Sequence, residues 1–398
     1  MPLGRVLVTD GEQRAALAAV RSLGRAGYQV DVAGSTDRPL AGASRFASRT
    51  RRVADPLGAP EDFAAQLTEL VTRERYQAVL PITDAAHLAV LPIREQLRPA
   101  VVAGPPLATF QAAADKEHVL QLAERCGIRA PPQVVLAGPI ESGTLPSSIR
   151  FPAVAKPARS VAGVGESLGK FSVRHAVDQA ELCRVLTELP PTAFPVLVQE
   201  RIVGPGTGLF FLRWNGRIVA RFAHRRIREK PPAGGVSVLA ESVAAPDDLV
   251  HRAELLLDAL DWQGVAMVEL KTQTATGVPY IMEINGRLWG SVQLAIDAGV
   301  DFPRLLVEAA LGRQPAAPPG WRVGARSRWL WGDIDHLLLR LTRSPTQLSL
   351  PPGAGSRLAA IGRFLRWNPF READSVFRFD DPGPFFRESR QWLTALRG

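Results

Sequence analysis

The sequence predicts an α/β domain at the amino end followed by a larger α+β region, and three patterns support this fold class. Residues 5–33 contain an apolar run, an Ala- and Leu-rich helical pattern and a second apolar run, which predict a β-α-β unit in a parallel sheet. Two alternating strands flank Asn215-Gly216, a dipeptide typical of tight hairpins. Apolar strands at 265–271 and 278–285, joined by a polar connection with a glycine, predict another hairpin.

Composition narrows the class of protein. A chain of 398 residues has room for two or three domains with cores of their own. We expect a cytoplasmic protein without a membrane partner, because no apolar run reaches about eighteen residues and no secretory signal opens the chain. Cys126 and Cys183 are too few for a disulfide framework. The net charge of +9 is spread along the chain, so it does not predict a nucleic-acid partner.

The strand-helix-strand pattern repeats after the first unit. A helical pattern at 61–75 and an apolar strand at 78–82 end in Thr83 and Asp84, at the edge where open α/β sheets bind ligands. A helix N-cap at one of these two residues is the preferred interpretation, and substrate contact is the alternative. The turn after the first strand lacks a GxGxxG sequence, so no dinucleotide site is predicted.

Lysine occurs at only five positions, which makes each lysine chemically conspicuous. The helical pattern from residue 114 places Asp115 as an N-cap and Lys116 in the first turn, where a cation opposes the helix dipole. The predicted strand 151–156 ends in Lys156, just before Pro157. Either lysine alone is compatible with a solvated surface charge.

The middle of the chain continues with a glycine-rich segment, a helix and a strand. Segment 159–171 (RSVAGVGESLGKF) either brings backbone N–H groups over phosphates or simply connects its neighbours. We predict a helix over 175–189 and an apolar strand over 195–202 (PVLVQERI).

Charged residues follow both predicted hairpins. Alternation along the strand that enters HRRIREKPPAGGVS places His224, Arg226 and Arg228 on one face, either as a solvated edge or as an anion site. Alternation in the second hairpin places Glu283, Asn285 and Arg287 on one face, with Glu269 on the neighbouring strand. Two carboxylates and an amide oxygen suit Mg²⁺, whereas the alternative is a surface pair beside a turn at Asn285-Gly286.

The motif MEINGRLWGS, together with Glu269 on the preceding strand, resembles the metal-binding signature of the ATP-grasp superfamily. The likeness is greatest for the carboxylate-amine ligase and carbamoyl-phosphate-synthase-like branch. It covers about residues 5–315 and implies an ATP-grasp fold with an N-terminal Rossmann-like domain. Beyond residue 315 the pattern changes, and we predict a C-terminal helical extension whose tryptophans are packing anchors rather than a ligand site. The expected parts are a pre-ATP-grasp domain at 1–110, a small subdomain at 111–194, a large subdomain at 195–315 and the extension at 316–398.

The resemblance also implies roles for individual residues. It assigns Mg²⁺ (or Mn²⁺) to Glu269, Glu283 and Asn285, and the nucleotide phosphates to Lys116 and Lys156. Segment PVLVQERIVG resembles the hinge beside the adenine, which is formed by Gln199, Glu200, Arg201 and Ile202. The catalytic arginines at the γ-phosphate are expected to be Arg226, Arg228 and Arg287. Many members carry an acidic residue after the hinge for the ribose, whereas this chain has Gly206-Thr207-Gly208.

The implied function is an ATP- and Mg²⁺-dependent ligase. It activates a small-molecule carboxylate as an acyl phosphate for capture by an amine, and releases ADP and phosphate. The alternatives are a kinase-like phosphotransferase of the same fold and a non-catalytic nucleotide-binding regulator. The oligomeric state is left open by the sequence.

Overall fold

The computed structural model describes residues 3–139, 145–164, 167–351, 353–368 and 372–396. Within these residues the chain forms a parallel sheet, a small antiparallel sheet, a large mixed sheet and a separate two-stranded hairpin. None of the helices in this described part combines the length and the apolar character needed to cross a lipid bilayer.

The amino-terminal domain is a five-stranded parallel sheet in the order β3-β2-β1-β4-β5, as the β-α-β pattern predicts. Its strands are β1 (Arg5–Val8), β2 (Gln29–Gly34), β3 (Ala47–Arg52), β4 (Ala78–Leu80) and β5 (Val101–Val102). Its helices are α1 (Arg14–Arg25), α2 (Pro60–Glu74), α3 (Asp84–Val90) and α4 (Leu107–Ala114), with 3₁₀ turns at Ala41–Ala43 and Leu91–Leu97. The Thr83 hydroxyl accepts a hydrogen bond from the Ala86 N–H, so Thr83 is the N-cap of α3.

The small sheet is antiparallel, with four strands in the order β10-β7-β11-β6. Its region comprises α5 (Lys116–Arg125), β6 (Gln133–Leu136), β7 (Ala153–Pro157), the hairpin β8 (Val161–Val164) and β9 (Ser167–Lys170), β10 (Arg174–Ala176), α6 (Gln179–Thr187), the 3₁₀ turn Pro191–Ala193 and β11 (Val196–Glu200). Asp115 caps α5 by accepting from the His118 N–H, as predicted.

Two expectations for this region need correction. The helix expected from residue 175 begins at Gln179, because Asp178 caps it, and His175 lies on β10 instead. Strand β11 pairs with β6 and β7 in the small sheet, although residues from 195 onward were assigned to the large subdomain.

The large sheet has seven strands in the order β16-β15-β12-β13-β14-β17-β18. The elements of this region are β12 (Gly206–Trp214), β13 (Arg217–Lys230), β14 (Val236–Ser242), α7 (Asp247–Ala259), β15 (Gly264–Thr272), β16 (Pro279–Asn285), α8 (Val292–Asp297), α9 (Phe302–Ala310), β17 (Arg326–Arg328), α10 (Leu330–Thr342), α11 (Arg357–Leu365), β18 (Glu372–Asp374) and α12 (Gly383–Ala395). Both predicted hairpins are present, and Asn215 and Gly216 turn the first with φ angles of 48° and 75°.

Side-chain alternation divides the interior between the two faces of the large sheet. Phe210 on β12 packs in a cluster that includes Leu17 of α1, which joins the amino-terminal domain to this face. Phe211, the next residue, packs in a second cluster with Leu256 of α7 on the opposite face. The large sheet is therefore the layer against which both the amino-terminal domain and α7 are held.

The carboxy-terminal extension is helical, as expected, but two of its strands also lengthen the large sheet. Strand β17 pairs with β14, and β18 pairs with β17. Trp331 stacks on Trp392 with ring centroids 4.3 Å apart, which fits the packing role predicted for the tryptophans. Arg21 of α1 is completely buried and donates to Asp381 Oδ2 (2.8 Å) and to the Val376 carbonyl (2.8 Å), so the extension is bonded to the first helix.

Candidate active site

A cavity of about 390 Å³ lies between residues of the small sheet and residues of the large sheet. Most of the residues singled out from the sequence line it: Lys156, Gln199, Glu200, Arg201, Ile202, Arg226, Glu269, Glu283, Asn285 and Arg287. Lys116 lines an adjoining cleft that shares Glu283 and Asn285 with the cavity. The structure therefore brings together all of the candidate residues except Arg228.

Two carboxylates face each other at the cavity wall. Glu269 of β15 is the direct cross-strand partner of Glu283 of β16. The Asn285 side chain donates from Nδ2 to Glu283 Oε1 (3.0 Å). Like charges directly opposite on neighbouring strands destabilise a sheet, so this arrangement requires cations close by.

Two cations neutralise this pair. Arg226 donates to both oxygens of Glu269 (2.9 and 2.7 Å) and also contacts Glu229 (2.9 Å). Burial lowers the pKa of Arg226, but Glu269 and Glu229 outweigh it and raise the pKa above its ordinary value. The Lys116 ammonium lies 3.5 Å from Glu283 Oε2. Burial raises the pKa of Glu283, yet Lys116 and Lys156 together hold it below its usual range, so the carboxylate stays charged.

Arg287 connects the large sheet to the amino-terminal domain. Its Nε donates to Asp84 Oδ2 (2.8 Å), and a terminal nitrogen donates to Asn285 Oδ1 (3.2 Å). Burial raises the pKa of Asp84, but the Arg287 guanidinium holds it below its ordinary value. Thr83 thus caps α3, as the preferred interpretation predicts, and Asp84 lines the cavity.

Lys156 carries a buried ammonium group of the site. It is 9% exposed, and its Nζ lies 3.5 Å from Met282 Sδ. Burial lowers the pKa of Lys156 to about 8, although Glu283 opposes the shift. A phosphate would supply the acceptor oxygens that this ammonium otherwise lacks.

Two further cavity residues were not assigned to a site from the sequence. Lys271 lies two positions after Glu269 on β15, and burial lowers its pKa. The sequence contained enough information to predict this position, because side-chain alternation along the strand places Lys271 on the same face as Glu269. His175 lines the cavity from β10, and burial, reinforced by Arg201 and Lys271, lowers its pKa to about 4, so the ring is neutral at physiological pH.

The predicted hinge follows the end of β11. Gln199 Nε2 donates to Gln133 Oε1 (2.8 Å), and the Arg201 N–H donates to the Pro152 carbonyl (3.0 Å). The Arg201 guanidinium donates to the Ser349 carbonyl of the carboxy-terminal extension. These bonds hold the segment at the cavity wall.

The two glycine-containing segments also reach the cavity. The segment at 159–171 forms the hairpin β8–β9, and its residues Val161 and Lys170 line the wall. Residues 165 and 166, at its tip, lie outside the described residues. In the loop after β13, Gly234 and Gly235 line the cavity, and the Gly235 carbonyl accepts from Arg226 (3.1 Å).

Arg228 lies elsewhere because β13 contains a bulge. Arg226 pairs with Ala240 and Arg228 pairs with Leu239, so Ile227 is an extra residue that breaks the alternation. The expected shared face of Arg226 and Arg228 is therefore wrong. Arg228 donates two hydrogen bonds of 2.6 Å to Asp333 in the extension and does not line the cavity.

His224 does not line the cavity either, so it belongs neither to an anion site there nor to a solvated edge. Its ring is 1% exposed and stacks on Phe210 at 4.6 Å. Burial lowers the pKa of His224 to about 3, which leaves the ring neutral among aromatic side chains.

The oxygen donors present fit a hard divalent cation. Across the described ranges, no group of three or more His, Cys, Asp and Glu side chains is placed to hold a metal by itself. Glu269, Glu283 and the Asn285 amide supply two carboxylates and a neutral oxygen. Mg²⁺ is commonly held by one or two carboxylates plus substrate phosphates, so this donor set suits a cation that arrives with a nucleotide.

Comparison with known proteins identifies one matching family profile and several similar folds. The sequence profile of the family described as "ATP-grasp in the biosynthetic pathway with Ter operon" matches residues 193–332. No curated protein matches the chain significantly. Similar solved structures do exist, and their coverage extends over most of the chain.

Three of these structures illustrate the likeness. L-amino acid ligase from Bacillus licheniformis has a TM-score of 0.61 at 16% identity, over 82% of this chain and 79% of that one. Biotin carboxylase from Campylobacter jejuni, in a β,γ-ATP complex, has a TM-score of 0.63 at 16% identity, over 81% and 74%. N5-carboxyaminoimidazole synthetase from Staphylococcus aureus, complexed with ADP, has a TM-score of 0.60 at 13% identity, over 82% and 81%. The chain has the ATP-grasp fold.

Proposed function

We propose that this ATP-grasp chain is an ATP- and Mg²⁺-dependent ligase that joins a small-molecule carboxylate to an amine. The observation that carries the proposal is the Glu269–Glu283 pair, which is neutralised by Arg226 and Lys116 at the wall of the cavity. Two facing carboxylates are unfavourable as structure alone, and they match the charge of a cation bound with phosphates.

The residues around this pair suggest how a nucleotide lies in the cavity. Gln199 to Ile202 border the end assigned to the adenine, and Lys156 and Lys116 are assigned to the phosphates. Mg²⁺, when bound by Glu269, Glu283 and Asn285, supplies positive charge that neutralises the phosphate oxygens. One of the similar structures is a β,γ-ATP complex and another is a complex with ADP, which supports a nucleotide as the ligand class.

The proposed reaction has two steps. A carboxylate oxygen of the acid forms a bond to the γ-phosphorus as the bond to ADP breaks, which gives an acyl phosphate. The amine nitrogen then attacks the acyl carbon, loses a proton and expels phosphate. Arg226 and Arg287 are placed to orient phosphoryl oxygens, because planar guanidinium groups bind such oxygens in pairs.

Both arginines hold carboxylates. Arg226 binds Glu269, and Arg287 binds Asp84. If Glu269 held a divalent cation, the planar guanidinium of Arg226 would be available to bind a phosphate. The ion pairs therefore keep the side chains ordered before substrate arrives, which is the preorganisation that phosphoryl transfer requires.

The test uses hydroxylamine in place of the unidentified amine, since it captures acyl phosphates as hydroxamates. Purified protein with Mg²⁺ and ATP is screened against a panel of small acids, and ADP, AMP, phosphate and hydroxamate are measured. We expect hydroxamate, ADP and phosphate in equal amounts, and only with an acid present. The variant Glu269→Gln should lose this activity, whereas Glu241→Gln, which removes a carboxylate outside the cavity, should keep it.

Other products would identify the alternatives. AMP with pyrophosphate would overturn the acyl-phosphate route. A stable phosphorylated product formed without hydroxylamine would indicate a kinase-like phosphotransferase. Nucleotide binding without turnover for any acid would indicate a non-catalytic regulator.

A further inference from the structure

Arg14, the first residue of α1, brings a guanidinium group from the amino-terminal domain to the wall of the same cavity. Its central carbon lies 3.9 Å from the ring centre of Trp329, at the start of the carboxy-terminal extension. Gly290 and Ser291 line the cavity beside it, and a side chain at residue 290 would begin 3.4 Å from an Arg14 nitrogen. Three separate parts of the chain thus meet around this guanidinium.

Arg14 has no acceptor within hydrogen-bond distance among the described residues, whereas Arg226 and Arg287 each hold a carboxylate. Glu388 and Asp374 are the carboxylates whose charges act on it, but neither lies within ion-pair distance of it. Oε2 of Glu388 has no hydrogen-bond partner among the described residues. Glu388 accepts from the Trp329 indole N–H (2.9 Å), and Asp374 accepts from the backbone N–H groups of residues 330, 376 and 377.

Neither carboxyl group is a strong counter-ion to Arg14, because burial disfavours the charged form of both. Burial raises the pKa of Glu388 to about 7 and also raises the pKa of Asp374. Burial lowers the pKa of Arg14 to about 10, so its guanidinium remains charged at neutral pH. Lys230 also lies over the Trp329 ring, at 5.4 Å, but it is paired with Asp335. Among the described residues around the Trp329 ring, Arg14 is therefore a cation without a paired anion.

The stacking on Trp329 fixes the plane of the guanidinium and leaves its N–H edge free. Such an edge fits the two oxygens of a carboxylate, and the indole face stabilises the cation. The absence of a side chain at Gly290 keeps the space beside the edge open. These features are typical of a site for an anionic group rather than of a surface arginine.

Arg14 and Arg287 line the same cavity, whose volume is about 390 Å³. Gly290, beside Arg14, follows Arg287 by three residues, so the backbones of residues 287 and 290 are at most about 10 Å apart. A molecule with one carboxylate at Arg287 and a second at Arg14 therefore has to fit within this one cavity, which suits a small dicarboxylate.

We propose that Arg14 and Trp329 form a subsite for a second carboxylate, so that the acid substrate is a small dicarboxylate. This inference rests on the proposed ligase function for the identity of the reacting carboxylate. It also gives the carboxy-terminal extension a role in substrate binding, because Trp329 orients the guanidinium of Arg14, which binds the second carboxylate.

The test measures binding without ATP, so that it is independent of turnover. Protein labelled with 5-fluorotryptophan is titrated with succinate, glutarate, acetate and the neutral succinamide, and the ¹⁹F resonance of Trp329 is assigned from its loss in Trp329→Phe. We expect saturable shifts with the dicarboxylates, much weaker binding of acetate, and no shift with succinamide.

Variants of Arg14 distinguish a role in dicarboxylate binding from a role in packing against Trp329. Arg14→Gln should weaken dicarboxylate binding about tenfold to a hundredfold, as expected when a charged hydrogen-bonding partner is lost. Arg14→Lys should weaken it less, because the charge remains while the planar fork is lost, and it covers the case in which the glutamine variant does not fold. The control is Arg25→Gln on the same helix, whose guanidinium pairs with Asp380 at the surface.

Three results would overturn the subsite: equal dicarboxylate affinity in Arg14→Gln and the parent protein, acetate binding as tight as succinate binding, or no shift of Trp329 with any dicarboxylate. Failure of the ligase proposal gives a different result. In that case no acid yields hydroxamate, while the Trp329 resonance still responds to dicarboxylates through Arg14.

Discussion

Two arginines near the end of β13 form the same kind of ion pair but face different parts of the molecule. Arg226 makes two hydrogen bonds to Glu269, and Arg228 makes two to Asp333. Each arginine side chain is 11% exposed. Arg226 faces the cavity, whereas Arg228 is turned by the intervening bulge towards the carboxy-terminal extension.

The difference lies in what surrounds each acceptor. Asp333 is completely buried and has a second partner in Arg328 (2.7 Å), so its pair serves to join the extension to the large sheet. Glu269 lines a cavity and faces the like-charged Glu283. An ion pair of good geometry therefore does not indicate a functional site by itself. What distinguishes the proposed site is that its carboxylate faces a second carboxylate and lines an accessible cavity.

The largest expected effect on ATP turnover is at Glu283, the carboxylate that faces Glu269 in the cavity. Glu283→Gln keeps the shape of the side chain while it removes the charge, and we expect ATP turnover to fall about a hundredfold to a thousandfold, because the proposed metal site loses a carboxylate. Glu241→Gln is the matched control outside the cavity. Full activity of Glu283→Gln at limiting Mg²⁺ would contradict the assignment.

The next effect is expected at Arg226. Arg226→Lys keeps a positive charge beside Glu269 but loses the planar fork, so turnover should fall about tenfold to a hundredfold with a smaller change in ATP affinity. Steady-state kinetics with varied ATP would measure both quantities. A change confined to ATP affinity would mean that Arg226 serves binding alone.

Lys156 provides a test that combines affinity with pH dependence. Lys156→Met should weaken ATP binding by about 1.5–3 kcal/mol, since a charged hydrogen-bonding partner is lost. Arg217→Met, at an exposed hairpin turn, is the control, because Lys170 also lines the cavity.

The same variant should be more stable than the parent protein without ATP at neutral pH. Burial of the Lys156 charge lowers its folded-state pKa to about 8, below the value of 10.5 expected when unfolded. The unfolded chain therefore binds more protons between these values, and the parent should gain stability relative to the variant as the pH rises from about 8 to 10.5. Denaturant unfolding at several pH values would measure the difference, and a difference independent of pH would argue against a buried charged lysine.

The smallest effect on activity is expected at Arg228. Arg228→Lys should change turnover less than about twofold, because the side chain contacts Asp333 and not the cavity. Its thermal midpoint should nevertheless fall by a similar amount to that of Arg226→Lys, since both variants lose a bidentate pair. A loss of turnover as large as that of Arg226→Lys would place Arg228 in the catalytic group after all.

The hairpins and the facing carboxylates were predictable because their signals are local. Asn215-Gly216 favours a turn through its backbone preferences, and alternation places Glu269 and Glu283 on a shared face. The bulge at Ile227 was not predictable in this way, since it follows from pairing with β14. One extra residue was enough to misplace Arg228.

Other parts of the site depend on contacts between distant segments. Asp84 and Arg287 form an ion pair although 203 positions separate them in the sequence. Arg14 and Trp329, which are in contact, are also far apart in the sequence. His175 was placed in a helix because the pattern around it is helical, but the cap at Asp178 starts the helix later. Asp84, Arg14 and His175 reach the cavity through tertiary packing, which no short pattern in the sequence encodes.

The bond between Arg21 and Asp381 has a consequence for the order in which the protein matures. The two residues are separated by 360 positions, and Arg21 has no exposed surface in the folded chain. At ribosomal rates of about 5–20 residues per second, roughly 20 to 70 s pass between their syntheses. During that interval the first helix carries a cation whose native partner has not yet been made. The amino-terminal domain therefore reaches its final packing only after the carboxy-terminal extension has emerged, although it is the first part of the chain to be translated.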